Sequence, residues 1–404
     1  MSKLIGWVDD RFPLTKVWRE HFSEYYAPKN FNFWYYFGSL ALVVMVMQII
    51  TGIWLTMSYV PTAEGAFASV ESIMRDVDYG WLIRYAHTTG ASMFFIVIYM
   101  HMFRALLYGS FQQPRELVWI IGVGIFLVLM AEAFFGYLLP WGQMSFWGAQ
   151  VITSLFGAIP YVGQELATWI RGDYTISGVT LNRFFALHVI AMPLVLVGLV
   201  FLHVVALHKV GSNNPDGIDI KTNKGSDGHP VDGIPLHPYY SVKDLYGVGV
   251  FLIIFCTILF FFPEGGGLFI EGPNFDPANS MKTPPHIAPV WYLTPFYSIL
   301  RAIPDKLMGV MAMAASIAVL FVLPWLDRSP VKSIRYRGWM YKAALAIFVV
   351  SFLGLGYLGT LEPTATRTLV SRIFALLYFA FFALMPFYTK MDKTKPVPDR
   401  VRSK

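Results

Sequence analysis

Four histidines set out the chemistry. His87 and His101 stand fourteen residues apart in the apolar stretch "IRYAHTTGASMFFIVIYMHMFRALLYG", and His188 and His203 stand fifteen apart in a second one. On an α-helix, fourteen steps return to within ~40° of the starting direction and advance ~21 Å. Each pair therefore shares a helix face, with one imidazole near either side of a ~30 Å hydrocarbon layer. Set side by side, and read as an antiparallel pair, the two helices bring His87 to His188 near the outer face. His101 then meets His203 near the inner face. Two imidazoles opposed across a gap are the axial ligands of a six-coordinate haem. One intramembrane histidine often merely pairs with a polar neighbour, but four at matched depths point to metal. The expected ligands are His87 and His188 for one haem b and His101 and His203 for a second. With both axial positions filled, such haems carry single electrons and leave no open position for O₂.

Glycines keep the same interval. Gly38 and Gly52 are fourteen apart, as are Gly122 and Gly136. Small residues also serve plain helix packing, yet the shared period favours a flat ring lying close to the backbone. Arg84, Arg104 and Arg183 stand at helix ends where a guanidinium could hold a haem propionate with two hydrogen bonds. For Arg104, snorkelling to lipid headgroups explains the position equally well. The chain has one cysteine and no C-x-x-C-H, so covalent haem attachment is excluded. That cysteine, Cys256, reads as a small core hydrophobe.

The elements that must position these residues are membrane helices. Of the 404 residues, 56% are hydrophobic and only 14% charged, against about 25% charged in soluble domains. Eight segments are long and apolar enough to span: 33–55, 83–107, 117–139, 184–207, 245–262, 307–326, 341–361 and 370–389. The fold class is all-α, a polytopic membrane protein whose first four helices bundle around two stacked b-type haems. The expected divisions are a surface segment 1–32, a dihaem bundle 33–210, an inner loop 211–244, and a C-terminal helical domain with a basic tail, 245–404. With the N-terminus inside, 22 of the 31 Lys and Arg fall on the inner side. The net charge of +6 thus reflects topology, not affinity for nucleic acid. Residues 1–32 read as an amphipathic helix lying on the inner surface. Residues 140–182 and 263–306 read as long outer loops, where a site is expected.

The segments "RYAHTTGASMFF", "GYLLPWGQMSFWGAQVI", "RFFALHVIAMP", "LHKVGSNNPDG", "HPYYSVKD" and "TPPHIAPVWY" together resemble cytochrome b of the quinol:cytochrome c oxidoreductases, the cytochrome bc complexes. The resemblance covers nearly the whole chain and is to the full-length bacterial type. It implies ubiquinol as substrate, oxidised at an outer site built from Phe134, Tyr137, Gly148, Val151 and Ile152, opposite Pro289, Trp291, Tyr292 and Tyr297. It implies an inner, quinone-reducing site using His208, Ser212, Lys243 and Asp244. It further implies a separate Rieske iron–sulphur protein, a c-type cytochrome subunit, membrane lipid and a homodimeric complex in the bacterial inner membrane. Titratable groups at the inner mouth suit a quinone that must gain two protons from water.

Three departures from the family pattern stand out. The family's Pro-Glu-Trp-Tyr motif is here Pro289-Val290-Trp291-Tyr292, and Val290 cannot accept the quinol proton credited to the Glu. Glu132, the one carboxylate deep in the third apolar segment, is the expected substitute in that role. Its burial would cost at least ~2.5–3.5 kcal/mol on insertion scales, and a structural, hydrogen-bonded Glu is the competing explanation. Second, fifteen residues separate His188 from His203 where many relatives have fourteen, an overshoot of ~60°. A kink or bulge around Ala191–Pro193 would absorb it. Third, Tyr35 and Tyr36 stand where relatives often carry Trp and Asn. Two rival functions are a dihaem anchor of another quinone-linked oxidoreductase, which has no use for the last three helices, and a proton-relaying transporter, which would bind no haem.

Overall fold

The computed structural model describes residues 3–19 and 23–402, and its frame is eight helices long and apolar enough to cross a bilayer. In chain order these spans are Phe33–Thr56, Gly80–Tyr108, Glu116–Leu138, Gly178–Val210, Leu236–Phe261, Lys306–Leu326, Trp339–Thr360 and Ala365–Ala383. Each contains or closely overlaps an apolar segment read from the sequence. The last ends earlier than expected: the chain turns at Leu384 and continues as Met385–Met391, because Pro386 cannot donate to the carbonyl one turn back.

Lipid decides which faces the spans expose. On the first span Leu42, Val46, Ile50 and Ile53 form an exposed stripe at helical spacing, while Phe37, Leu40 and Val44 turn inward. Cys256 is exposed on the fifth span, a correction to its expected place in the core. In a bilayer the lipid side is as apolar as the interior, so a thiol gains nothing by turning inward.

The first span packs on the second and the third on the fourth. The fifth lies along the first two and the sixth along the third, so the C-terminal half is built against the N-terminal one. One apolar core runs through both halves, joining Phe95 and Phe126 to Val290, Tyr292 and Phe296. The second and fourth spans run in the same direction, as two even-numbered crossings must, and not antiparallel. Only that arrangement sets His87 by His188 and His101 by His203.

The long outer connections are more ordered than their composition suggested. Residues 140–182 hold two helices, Gln143–Phe156 and Gly163–Arg171, and residues 263–306 hold a third, Thr294–Ala302. All three are too short to span. The N-terminal segment is two short helices, Lys3–Asp9 and Leu14–Trp18, separated around Pro13, where a single amphipathic helix was expected. Its apolar residues Leu4, Trp7, Leu14 and Trp18 are nonetheless exposed together.

On the inner side a two-stranded antiparallel sheet pairs Tyr26–Pro28 with Gly233–Pro235, Tyr26 opposite Pro235. Two buried carboxylates fasten the chain ends beside it. Asp232 accepts from Lys29 at 2.9 Å and from Nε and Nη2 of Arg400 at 2.8 and 2.9 Å. Asp216 accepts from Asn30, Tyr336 and the backbone of Arg402 at 2.9, 2.9 and 3.1 Å. Hydrogen bonds from Arg400 and Lys29 hold the Asp232 carboxyl well below its ordinary range against the opposing effect of burial. The basic tail is therefore a docked element.

Candidate functional site

The histidine pairs face each other at two depths. The rings of His87 and His188 have centroids 6.2 Å apart at 90°, and those of His101 and His203 lie 6.4 Å apart at 58°. Two metal–imidazole bonds of ~2 Å, with half a ring at either end, span ~6 Å. Hydrogen bonds settle the outer pair's tautomers. The hydroxyl of Thr51 donates to the Met47 carbonyl at 2.7 Å, so at 2.8 Å it must accept from His87 Nδ1. His188 Nδ1 faces the Glu132 backbone carbonyl at 3.0 Å and its carboxylate at 3.1 Å, both acceptors. Each outer imidazole thus commits Nδ1–H to a partner and leaves the Nε2 lone pair for a metal.

Each ring also lies against one of the four glycines. A Cβ at Gly38, Gly52 or Gly122 would stand 3.5, 3.3 or 3.2 Å from the Cε1 of His101, His87 or His203. At Gly136 it would come within 2.4 Å of His188 Cε1. Several buried polar atoms here lack a protein partner: His203 Nδ1, Arg104 Nε and Glu132 Oε2. Arg104 sits over the Tyr35 ring at 5.0 Å and forms no ion pair among the described residues. Its Nη2 lies 3.2 Å from His101 Nδ1, but the charge has no counter-ion among the described residues, which suits an anionic ligand group such as a haem propionate. Arg84 donates to Thr88 Oγ1. Arg183 is exposed and donates to the Trp169 carbonyl at 2.6 Å, so its nearest established bond is to the outer helix.

The extra residue between His188 and His203 is taken up by a turn of π-helix at Leu187–Ala191, where the Met192 N–H reaches back five residues to the Leu187 carbonyl. The distortion begins slightly before the expected Ala191–Pro193. Pro193 cannot donate to the Val189 carbonyl, and the wider turn absorbs one residue, so His203 returns to the ligand face.

At the inner side a cavity of about 480 Å³ is lined by His101, His203, Gly38, Gly122 and Arg104, and equally by His208, Ser212, Lys243 and Asp244. The structure therefore brings the inner histidine pair and the expected inner quinone residues into one space. Tyr25 stacks on His208 with centroids 4.4 Å apart and reaches Ser212 Oγ at 3.2 Å. Tyr35 and Tyr36 line the same cavity, so it carries phenols where relatives often place Trp and Asn.

The residues expected at the outer site come from both halves. Tyr292 stacks flat on Phe95 at 3.9 Å, and Tyr99 donates to the Tyr292 carbonyl at 2.5 Å. Trp291 Nε1 donates to Ser92 Oγ at 3.1 Å. Tyr297 donates to the Ile287 carbonyl at 3.1 Å, fixing the stretch that carries Pro289, and Val290 is buried. Gly148 lies against the Tyr137 ring. Tyr137 in turn donates to Glu271 Oε2 at 2.8 Å. Asn274 donates to the Tyr137 hydroxyl at 3.0 Å while accepting from the Ser145 backbone at 2.8 Å.

Comparison with known proteins agrees with this geometry. Residues 22–211 match the family model described as cytochrome b/b6/petB, and residues 277–379 match that described as cytochrome b(C-terminal)/b6/petD. The chain is 65% identical to the cytochrome b of Allochromatium vinosum over 99% of its own length and 98% of that protein's. It is 50% identical to the cytochrome b of Rhodospirillum rubrum over 100% and 96% of the two lengths. The chain belongs to the cytochrome b family. A solved structure described as a hyperthermophilic respiratory complex III matches with a TM-score of 0.88 and 39% identity, over 96% of this chain and 99% of that one. This is a cytochrome b of the complex III type, for which b-type haem is implied, and the donor set and glycine cradles fit that group.

Within this cytochrome b, sequence reasoning passed over two partners. Thr51, next to Gly52, fixes His87; a hydroxyl beside one of the evenly spaced glycines was its only signal. Glu271, in "FIEGPNFDP" of the outer connection, meets Tyr137 across 134 residues of chain, a distance that no local pattern reveals. Glu132, expected to serve the outer site, presents its carboxylate to His188.

Proposed function

We propose that the chain is the electron-conducting and quinone-binding subunit of a proton-translocating quinol:cytochrome c reductase, spanning the bacterial inner membrane many times in a homodimeric complex. His87 and His188 would hold one haem b, and His101 and His203 a second. When bound, two such haems supply one-electron transfer between the outer and inner ends of the bundle. Ubiquinol is oxidised at the outer site between Tyr137, Gly148 and the segment Pro289–Tyr297. Its electrons divide, one to a separate Rieske iron–sulphur subunit that serves a c-type cytochrome, the other inward to reduce quinone beside His208, Ser212, Lys243 and Asp244. Protons released outside and taken up inside make the reaction a proton pump.

The chain's own residues position these events. Thr51 and Glu132 orient the outer imidazoles, and the stack of Tyr292 on Phe95 sets the outer wall. Glu132 is assigned to holding His188 rather than to receiving the quinol proton. The observation that carries the proposal is the pair of opposed imidazole couples at two depths, each seated on a glycine. A reduced-minus-oxidised spectrum of the purified complex, with haem quantification, tests it. Two non-covalent b haems per chain are expected, with an outer-site inhibitor blocking their reduction by quinol when the inner site is also inhibited. One haem, or none, overturns the proposal. Two haems reduced by quinol regardless of the outer-site inhibitor would favour a simple dihaem anchor.

A further inference from the structure

We infer that Glu271 is the proton acceptor of the outer quinol site, reached from bound quinol through the hydroxyl of Tyr137. This rests on the outer-site function proposed above. The Tyr137 hydroxyl has one proton, donated to Glu271 Oε2 at 2.8 Å. One of its lone pairs accepts from Asn274 at 3.0 Å, which leaves the other for a quinol hydroxyl. Gly148 lies beside the Tyr137 ring, where an added Cβ would stand 3.6 Å from Cε1, in ordinary contact. Tyr137 also comes from the third span, in the haem half, whereas Glu271 comes from the outer connection of the other half, so the relay crosses the seam at which the site is built.

Asn274 fixes the geometry. Its amide NH₂ touches Tyr137 and Glu271, and its oxygen accepts from the Ser145 backbone at the start of the Gln143–Phe156 helix. Val290, buried and apolar, offers no competing base. Burial pushes the Glu271 carboxyl up to about 7, against the opposing hydrogen bond from Tyr137. The titratable groups facing it are the phenols of Tyr137 and Tyr292. A base poised near neutrality is what proton transfer at physiological pH requires.

In the step, one quinol O–H bond breaks as the Tyr137 oxygen takes its proton, and the phenolic proton passes to Glu271, forming one carboxyl O–H. The quinol's other proton leaves with the electron accepted by the iron–sulphur partner. The second electron leaves by the inward route, and quinone remains. Glu271 must be ionised to accept, so the rate rises with pH through about 7. The sign for stability is opposite: a carboxyl raised on folding favours the fold at low pH and loses that contribution as pH rises through the same value.

The test uses the intact complex, a short-chain ubiquinol and rapid-mixing measurement of b-haem reduction from pH 5.5 to 9 with the inner site inhibited. Glu271→Gln is expected to slow reduction by about 10²-fold or more and to flatten the rising limb, while Glu271→Asp restores a shifted limb. A pH-difference infrared spectrum of the oxidised complex should show a carboxyl titrating near pH 7 that Glu271→Gln lacks. An unchanged rate and pH profile in Glu271→Gln overturns the inference and leaves the outer site standing. A wild-type complex with no inhibitor-sensitive haem reduction overturns the site itself. Should Glu271→Gln lose haem, Glu271→Asp with its haem intact decides: a displaced limb supports the relay and an identical one refutes it.

Discussion

Replacing Gly136 by Ala is the sharpest perturbation of the haem frame. The new Cβ would lie 2.4 Å from His188 Cε1 and 2.8 and 2.9 Å from its two ring nitrogens. Carbon atoms settle at about 3.5–4.0 Å, so the ring must retreat by ~1 Å. It cannot do so freely, because Nδ1 is held by the Glu132 carbonyl and carboxylate at 3.0 and 3.1 Å. Overpacking of this kind costs about 1–3 kcal/mol, or roughly 5- to 150-fold in haem affinity. Gly38→Ala is the control, since its Cβ would stand at an ordinary 3.5 Å from His101. Gly52→Ala and Gly122→Ala, at 3.3 and 3.2 Å, should fall between. Haem extraction and potentiometric titration of the b-type absorbance would rank the four. Gly136→Ala should lose or weaken one haem only, the one attributed to His87 and His188. Equal occupancy and equal midpoint potentials in Gly136→Ala and Gly38→Ala would refute the assignment of ring-facing glycines.

Glu132→Gln keeps a neutral acceptor for His188 but removes the carboxylate that makes the imidazole a stronger donor. The midpoint potential of the outer haem should rise, with up to about 10–100-fold weaker binding, while the pH profile of quinol oxidation stays put; redox titration measures the first and rapid mixing the last. Asp244→Asn should slow the inner reaction, seen as haem reoxidation by added quinone, by about 10²-fold or more with outer-site reduction of haem unchanged. Deleting Ile190, which is exposed within the π turn, should convert that turn to α-helix and keep both haems. Deleting Val197 from the regular helix below it should rotate His203 by ~100° and lose the inner haem's absorbance.

Much of the frame was written in local pattern. The eight spans followed from runs of apolar residues, and the histidine and glycine intervals told which helices must face one another, because helical geometry converts spacing directly into direction and depth. The distortion before Pro193 was legible for the same reason: a fifteen-residue interval cannot be met by an undistorted α-helix. What was hidden depended on contacts between distant parts of the chain. Glu132 could be found as a costly buried carboxylate, but its partner, His188, lies 56 residues away. Glu271 stood unremarked among the acidic residues of the outer connection until folding laid it on Tyr137. The break of the N-terminal segment at Pro13 was, by contrast, available in the sequence, since proline favours the first turn of a helix over its interior.

The outer seam has a consequence for how such a chain could be divided. Backbone bonds lace its two sides together: Gln143 N–H to the Asp276 carbonyl and Ala278 N–H to the Trp141 carbonyl, each at 3.0 Å. These contacts, like the Tyr137–Glu271 bond, owe nothing to the peptide that joins the fourth span to the fifth. A gene split in that interval would yield two fragments that still recognise each other, and the covalent link could be lost in evolution without dismantling the seam.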